Sequence, residues 1–88
     1  MFRFRDFDWD ATNEAHIAEH NVTSTETEEA CINDAAVQRG KDGLYYFFGR
    51  TDAGRFLFVV ARLKAAGLLR PITARDMTST ERKRFRKG

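Results

Sequence analysis

The stretch Arg55-Phe-Leu-Phe-Val-Val-Ala-Arg-Leu-Lys64 decides the fold, because it carries the strongest β-strand signal in the chain. Its aromatic and β-branched residues are of the types that favour strands. A second run of this kind, Leu44-Tyr-Tyr-Phe-Phe-Gly-Arg50, precedes it. Between them, Asp52-Ala-Gly54 predicts a tight turn in which glycine can take a positive φ. The two runs therefore predict an antiparallel hairpin.

The same hairpin is flanked by two further predicted strands. These are Ala35–Arg39, followed by the turn signal Gly40-Lys-Asp-Gly43, and Leu68–Arg75, preceded by the turn Ala65-Ala-Gly67. Pro71 has no backbone N–H, so the last strand should lie at a sheet edge or contain a bulge. We therefore expect a four-stranded antiparallel meander, with Phe56 and Phe58 on the same face.

The N-terminal part of the chain predicts one strand and two helices. Phenylalanine and arginine alternate over Met1–Phe7, which is the period of a half-buried strand. Asp10 is a candidate N-cap for a helix that Asn21 ends. The narrow apolar face expected for that helix consists of Ala11, Ala15, Ala18 and Val22. Thr23–Cys31 predicts a second helix with glutamates near its positive N-terminal end.

A basic helix closes the chain. Thr78 and Glu81 have the three-residue spacing of a capping box, in which each side chain bonds the other residue's backbone N–H. Arg75 comes at the end of the preceding predicted strand, so two cationic elements adjoin. The elements together predict an α+β fold, and 88 residues predict one domain spanning residues 1–88.

Charge is distributed unevenly along the chain. From Asp6 to Asp34 there are nine acids and no Lys or Arg, whereas from Ala35 onward there are thirteen bases and four acids. This asymmetry favours a nucleic acid or an acidic protein as the partner of the basic part. The alternative is that the two parts pair with each other as ordinary solvated surfaces.

Composition bears on the cellular compartment. The single cysteine, Cys31, excludes an internal disulfide and favours a reducing compartment. No apolar run approaches the length of a membrane span, and the N-terminus has no signal-peptide pattern. We therefore expect a cytoplasmic protein without membrane contact.

Several motifs, in their order and spacing, resemble the BrnT family of bacterial toxins. They are Phe7-Asp-Trp-Asp10, His16-Ile-Ala-Glu-His20-Asn-Val-Thr23, Tyr46–Val60, Arg70-Pro-Ile-Thr-Ala-Arg-Asp-Met-Thr78 and Glu81-Arg82. The resemblance covers nearly the whole chain and implies a RelE-like fold. It also implies RNA cleavage without a metal or other cofactor, and a cognate antitoxin encoded beside the toxin.

Cleavage of RNA requires a base for the 2′-hydroxyl, an acid for the leaving oxygen, and positive charge for the phosphorane-like transition state. Arginine suits the last task because it stays protonated. Arg50, Arg62 and Arg75 are each near a predicted strand end, where several could meet at one phosphate. The alternative is that they form a solvated sheet rim. His20 or His16 is a candidate acid or base, since histidine titrates near neutrality.

Other residues are candidates for holding the RNA strand. They are Arg55, Arg70, Arg82, Lys83 and Arg84 for phosphates, and Tyr45 for stacking on a base. His16 and His20 also have metal-ligand spacing, with only Cys31 or Glu19 nearby to complete a zinc site, so we predict no metal. Two hypotheses remain: a ribonuclease toxin, or a non-catalytic module of the same fold that binds nucleic acid or an acidic protein.

Overall fold

A computed structural model describes residues 2–87 of the chain. Its elements, in chain order, are β1 (Asp6–Phe7), α1 (Ala11–Ala18), α2 (Ser24–Ile32), β2 (Ala36–Arg39), β3 (Leu44–Arg50), β4 (Phe56–Leu63), β5 (Leu68–Asp76) and α3 (Ser79–Lys87). The order of elements confirms the α+β class, and each predicted turn separates the strands that it was expected to separate.

The strands form one sheet in the order β1-β5-β4-β3-β2. Strands β2 to β5 pair antiparallel, which confirms the predicted meander. The short β1 adds a fifth strand, parallel to β5 at Leu68 and Leu69. The predicted N-terminal strand is thus too long, because only Asp6 and Phe7 of the described residues reach β5. Met1 lies outside the described residues.

Each helix begins where a side chain binds its first backbone N–H groups. Asp10 accepts hydrogen bonds from the N–H groups of Thr12 and Asn13, while the Asn13 side chain accepts one from the Asp10 N–H. Thr23 and Glu26 form the same reciprocal pair at the start of α2. These contacts fix the two helix starts locally.

The core lies between one face of the sheet and the helices α1 and α2. Phe47, Leu57, Val59 and Ala61 alternate along β3 and β4 and are fully buried against residues of both helices. Helix α2 lies close against the sheet at Gly49, where an added Cβ would lie 1.8 Å from the Ala30 carbonyl oxygen. Glycine is therefore required there by space.

The apolar stripe expected for α1 was wrong for its three alanines, whereas Val22, which follows the helix, is buried. Ala11, Ala15 and Ala18 are exposed, and the helix buries Ile17 and Asn13 instead. Asn13 is buried because its Nδ2 group donates to two main-chain oxygens, those of Asp8 and Pro71, each at 2.9 Å. A polar residue thus packs α1 on the sheet through satisfied hydrogen bonds.

Strand β5 accommodates Pro71 with an irregularity in its pairing to β4. The register shifts between Val60, which pairs with Thr73, and Ala61, which pairs with Pro71. Ile72 is the extra residue, and its side chain is exposed. The expectation of a bulge at this proline is confirmed.

Candidate nucleic-acid interface

The second face of the sheet, opposite α1 and α2, carries a group of aromatic rings. Tyr46, Phe48, Phe56 and Phe58 alternate with the buried core residues of β3 and β4 and are half-buried. We call these four residues the aromatic face. The Phe58 ring centroid lies 5.0 Å from that of Phe48 and 5.7 Å from that of Tyr46, so the three rings form a continuous row.

Helix α3 lies against one end of the aromatic face. The Phe85 ring meets the Phe56 ring edge-on, with centroids 6.0 Å apart. The start of α3 is fixed by the predicted capping box. In it, the Thr78 N–H donates to Glu81 at 2.9 Å and the Glu81 N–H donates to Thr78 at 3.1 Å. The basic residues of α3 are thereby brought beside strands β3 to β5.

Arg75 is the most firmly oriented cation on this face. Its guanidinium carbon lies 4.4 Å from the centroid of the Phe58 ring. Its two terminal nitrogens donate to the two carboxylate oxygens of Glu81 at 2.9 and 3.0 Å, and Nη1 also donates to the Asp76 carbonyl oxygen. Nε–H and one N–H of Nη2 have no partner among the described residues, which leaves donors for a further anion.

Glu81 is correspondingly held as a carboxylate. The hydrogen bonds from Arg75 lower its pKa from the ordinary value of 4.5, and the bond from the Thr78 N–H acts in the same direction. The side chain is 24% exposed and that of Arg75 is 37% exposed. The pair is therefore an ionised contact at the surface of the site, reachable by a ligand.

Two further arginines share the Phe56 ring. The guanidinium carbon of Arg50 lies 4.8 Å from its centroid, and that of Arg82 lies 4.6 Å from it. Stacking of this kind uses the planar face of the guanidinium and leaves its N–H groups at the edge. Phe56 and Phe58 are two positions apart on β4, about 7 Å. Arg50, Arg75 and Arg82 therefore form one group, which we call the arginine cluster.

Arg62 and His20 lie away from this cluster. Arg62 is four residues beyond Phe58 on β4, about 13 Å along the strand, and its Nη1 donates to the Asp42 carbonyl oxygen. His20 follows α1, on the side of the sheet that the helices cover, and its ring lies 6.2 Å from that of His16. Of the three arginines named from the sequence, the fold brings together Arg50 and Arg75.

The expected RNA-binding arginines Arg55 and Arg70 are bound to acids of the N-terminal part, and Arg55 is also bound to Asp76 of the basic part. Arg55 bonds Asp76 at 2.8 Å, Glu26 at 3.2 Å and the Asn21 carbonyl oxygen at 2.8 Å. Arg70 bonds Asp10 at 3.1 Å and lies 3.6 Å from Asp8. These two arginines therefore match the alternative interpretation of the charge asymmetry, in which the acidic and basic parts of the chain pair with each other.

Of the remaining candidates from the sequence, two lie beside the arginine cluster and one lies on the other side of the sheet. Lys83 and Arg84 are exposed on α3, beside the arginine cluster. Tyr45 points to the helix-covered side, where its ring packs on Phe2 with centroids 4.6 Å apart. Its neighbour Tyr46 is the tyrosine on the aromatic face. The period-two alternation in Leu44–Arg50 could have identified Tyr46 and Phe48 as the ring-bearing positions of the second face.

Among the described residues, no helix is long and apolar enough to cross a membrane. No group of three or more His, Cys, Asp or Glu side chains there is arranged to hold a metal ion. Burial raises the pKa of Cys31 to about 12, so its thiol is unreactive at neutral pH.

The chain matches no protein-family model and no curated protein. Among solved structures, it is similar to the 1.1 Å crystal structure of the Brucella abortus ribonuclease toxin BrnT, with a TM-score of 0.69 and 18% sequence identity. The match covers 84% of this chain and 97% of that one. The chain therefore has the BrnT fold, as its motifs implied.

Proposed function

We propose that this protein is a metal-independent endoribonuclease, the toxin of a toxin–antitoxin pair, and that the arginine cluster holds the scissile phosphate. The observation that carries the proposal is the convergence of Arg50, Arg75 and Arg82 on one face of a sheet with the BrnT fold. RNA and a cognate antitoxin are the proposed partners, and no small-molecule cofactor takes part.

Phosphate binding follows from how the guanidinium groups are held. Stacking on Phe56 and Phe58 fixes three of them in place, so little side-chain entropy is lost when a phosphate binds. As the 2′-oxygen attacks, negative charge grows on the non-bridging phosphate oxygens. Preorganised arginine donors stabilise that charge more than they stabilise the ground state. This is the charge that a metal ion supplies in other nucleases.

Glu81 is the general base for the 2′-hydroxyl in the proposed mechanism. Its carboxylate is ionised at neutral pH and touches Arg75, so it can accept the proton of a 2′-hydroxyl held there. The 2′-oxygen then bonds to phosphorus, the bond from phosphorus to the 5′-oxygen breaks, and water protonates that leaving oxygen, while Glu81 gives its proton to the resulting hydroxide. Because a carboxylate of lowered pKa is a weak base, positioning and arginine charge supply most of the acceleration.

Arg62 and the α3 cations hold the strand on either side of the cleaved bond. Arg62 lies farther along the second face, while Lys83 and Arg84 are exposed beside the arginine cluster. In this arrangement His20 does not contact the phosphate, because α1 lies across the sheet. Arg55 and Arg70 act on the RNA only through the fold that they stabilise.

The direct test is cleavage of an end-labelled single-stranded RNA by the purified protein, with and without EDTA. We expect fragments ending in 2′,3′-cyclic phosphate at equal rates in both conditions. Arg39→Ala is the matched control, because Arg39 is exposed but lies on the side of the sheet that carries Tyr45. It should cleave like wild type. Cleavage that stops in EDTA would refute the metal-independent mechanism.

A second candidate function is the non-catalytic module of the same fold. The observation that favours it is the lack of a histidine in contact with the arginine cluster within residues 2–87. The same assay separates the two functions. Tight RNA binding by the folded protein without any cleavage would establish the module and exclude the nuclease.

A further inference from the structure

A cleft of about 340 Å³ opens between the edge strand β2 and helix α3, next to the arginine cluster. It is lined by Ala36, Gln38, Phe48, Glu81, Arg84 and Phe85. Its volume falls within the range of small-ligand sites in proteins. Glu81 is shared between this cleft and the Arg75 ion pair, so the cleft begins where the proposed phosphate site ends.

The lining of the cleft has the composition of a nucleobase site. Phe48 from β3 and Phe85 from α3 contribute aromatic surfaces, and the small side chain of Ala36 leaves room between strand and helix. Aromatic rings bind unpaired bases by stacking, which does not depend on base identity. Stacking alone would make this a general base site.

Two polar side chains, Gln38 and Arg84, lie at the rim of the cleft. Gln38 pairs with Tyr46 in the sheet register and therefore faces the same side of the sheet as the aromatic face. Gln38 and Arg84 are exposed, and neither side chain has a hydrogen-bond partner among the described residues. Glutamine matches the N6 and N7 groups of adenine, and arginine matches the O6 and N7 groups of guanine. Both of these edges belong to purines.

We infer that this cleft binds a purine base of the RNA, adjacent to the phosphate at Arg75, and that Gln38 is a specificity-determining residue. The inference rests on the proposed function for the identity of the ligand as RNA. It adds that the base beside the cleaved bond is read by Gln38 and Arg84. Adenine preference would come from Gln38 and guanine preference from Arg84.

The first experiment measures binding alone, so that it does not depend on catalysis. AMP, GMP, CMP and UMP are titrated into the protein while the side-chain amide signals of Gln38 are followed by NMR. Gln38 is the only glutamine in the chain, so its assignment needs only the Gln38→Ala spectrum. We expect AMP or GMP to shift these signals and to bind about tenfold more tightly than CMP and UMP.

Two variants then test the contributions of Gln38 and Arg84 to purine binding one at a time. Gln38→Ala should bring AMP affinity to that of the pyrimidines, and Arg84→Ala should do the same for GMP. Arg39→Ala, on the same edge strand but on the other side of the sheet, should leave all four affinities unchanged. Equal binding of purines and pyrimidines by wild type, or a purine preference that survives both variants, would overturn the inference.

Cleavage mapping separates failure of the cleft from failure of the nuclease. RNA cleaved without base preference, together with unshifted Gln38 signals, would refute the cleft and leave the nuclease standing. Purine binding at Gln38 by a protein that cleaves no RNA would refute the nuclease and support the cleft as a binding site.

Discussion

Arg50 and Arg55 stand on either side of one hairpin turn, yet they belong to different regions of the molecule. Arg55 reaches the helix-covered side and ties the loop between α1 and α2, helix α2 and strand β5 together through Asn21, Glu26 and Asp76. Arg50 lies over Phe56 on the aromatic face, without an acidic partner among the described residues. We call a basic residue that is bound by acids, such as Arg55, a structural tie. We call one that is supported by aromatic rings, such as Arg50, an available cation.

This contrast divides the basic residues of the whole chain. Lys64 and Arg70 join Arg55 as ties, because Asp8 and Asp10 bind them. Arg75 and Arg82 join Arg50 over phenylalanine rings, and Arg75 differs from the other two in also pairing with Glu81. The small net charge of +2 hides this division, since the acids neutralise one region and leave the other positive.

The largest expected effect lies on the helix-covered side. Gly49→Ala should destabilise the domain by about 4 kcal/mol or more, because the added methyl would overlap the Ala30 carbonyl and force α2 away from the sheet. Thermal unfolding followed by circular dichroism measures it. Gly43→Ala is the control, since an added Cβ there would meet Arg62 Nη1 at an ordinary contact distance of 3.5 Å and its positive φ costs about 1 kcal/mol. Equal losses for the two variants would show that α2 does not pack as described.

Arg55→Ala tests the tie itself. We expect a loss of about 2 kcal/mol, on the order of 10 °C in melting temperature, because Glu26 and Asp76 would keep their charges without a partner. Arg50→Ala should lose about 1 kcal/mol or less, the value of an exposed cation–π contact. If Arg50→Ala were the more damaging of the two, the division between ties and available cations would be wrong.

Acid should weaken both regions, and one variant isolates the contact on the aromatic face. The pKa of Glu81 is lowered by Arg75, so the contribution of this pair is complete above the ordinary pKa of 4.5 and is lost as pH falls through the lowered value. Glu81→Gln keeps the cap and removes the ion pair. Its melting temperature should be below wild type at pH 7, and the gap should close as pH falls below the ordinary pKa of 4.5 and through the lowered one. A constant gap across this range would assign the loss to the cap.

The smallest expected effect is on the salt dependence of RNA binding. Arg82→Ala should reduce the slope of log affinity against log salt by about 0.7, the value of one phosphate contact on a single strand. Arg70→Ala should leave the slope unchanged, because Asp8 and Asp10 already neutralise Arg70. A similar decrease for both variants would mean that the acidic part does not shield its arginines from RNA.

What could be predicted from the sequence was mostly local. Asp10 and Thr78 were identifiable as helix caps because their partners are two or three residues away. The strands β3 and β4 were identifiable because their residue types and turn agree. The parallel pairing of β1 with β5 joins Asp6 to Leu68, and no local pattern encodes a contact at that separation.

The sequence predicted the chemistry of the candidate site better than it predicted which residues form the site. The sequence identified Arg75 and the basic α3 helix, whose contact depends on residues only six apart. It did not reveal that Arg62 would bond the Asp42 carbonyl oxygen, or that Asn13 would replace the alanine stripe of α1. Both depend on which side chains meet after the sheet has formed.

The most direct test of the arginine cluster is RNA cleavage and thermal unfolding measured on the same Arg75→Ala protein. We expect cleavage to fall by about 100-fold or more, the cost of removing one transition-state donor, and the melting temperature to fall by about 5 °C or less. Arg75→Lys should restore cleavage only in part, because a single ammonium does not reproduce the two-pronged contact. Full activity in folded Arg75→Ala would remove the cluster from the chemistry, and an unfolded variant would make Arg75 a structural tie like Arg55.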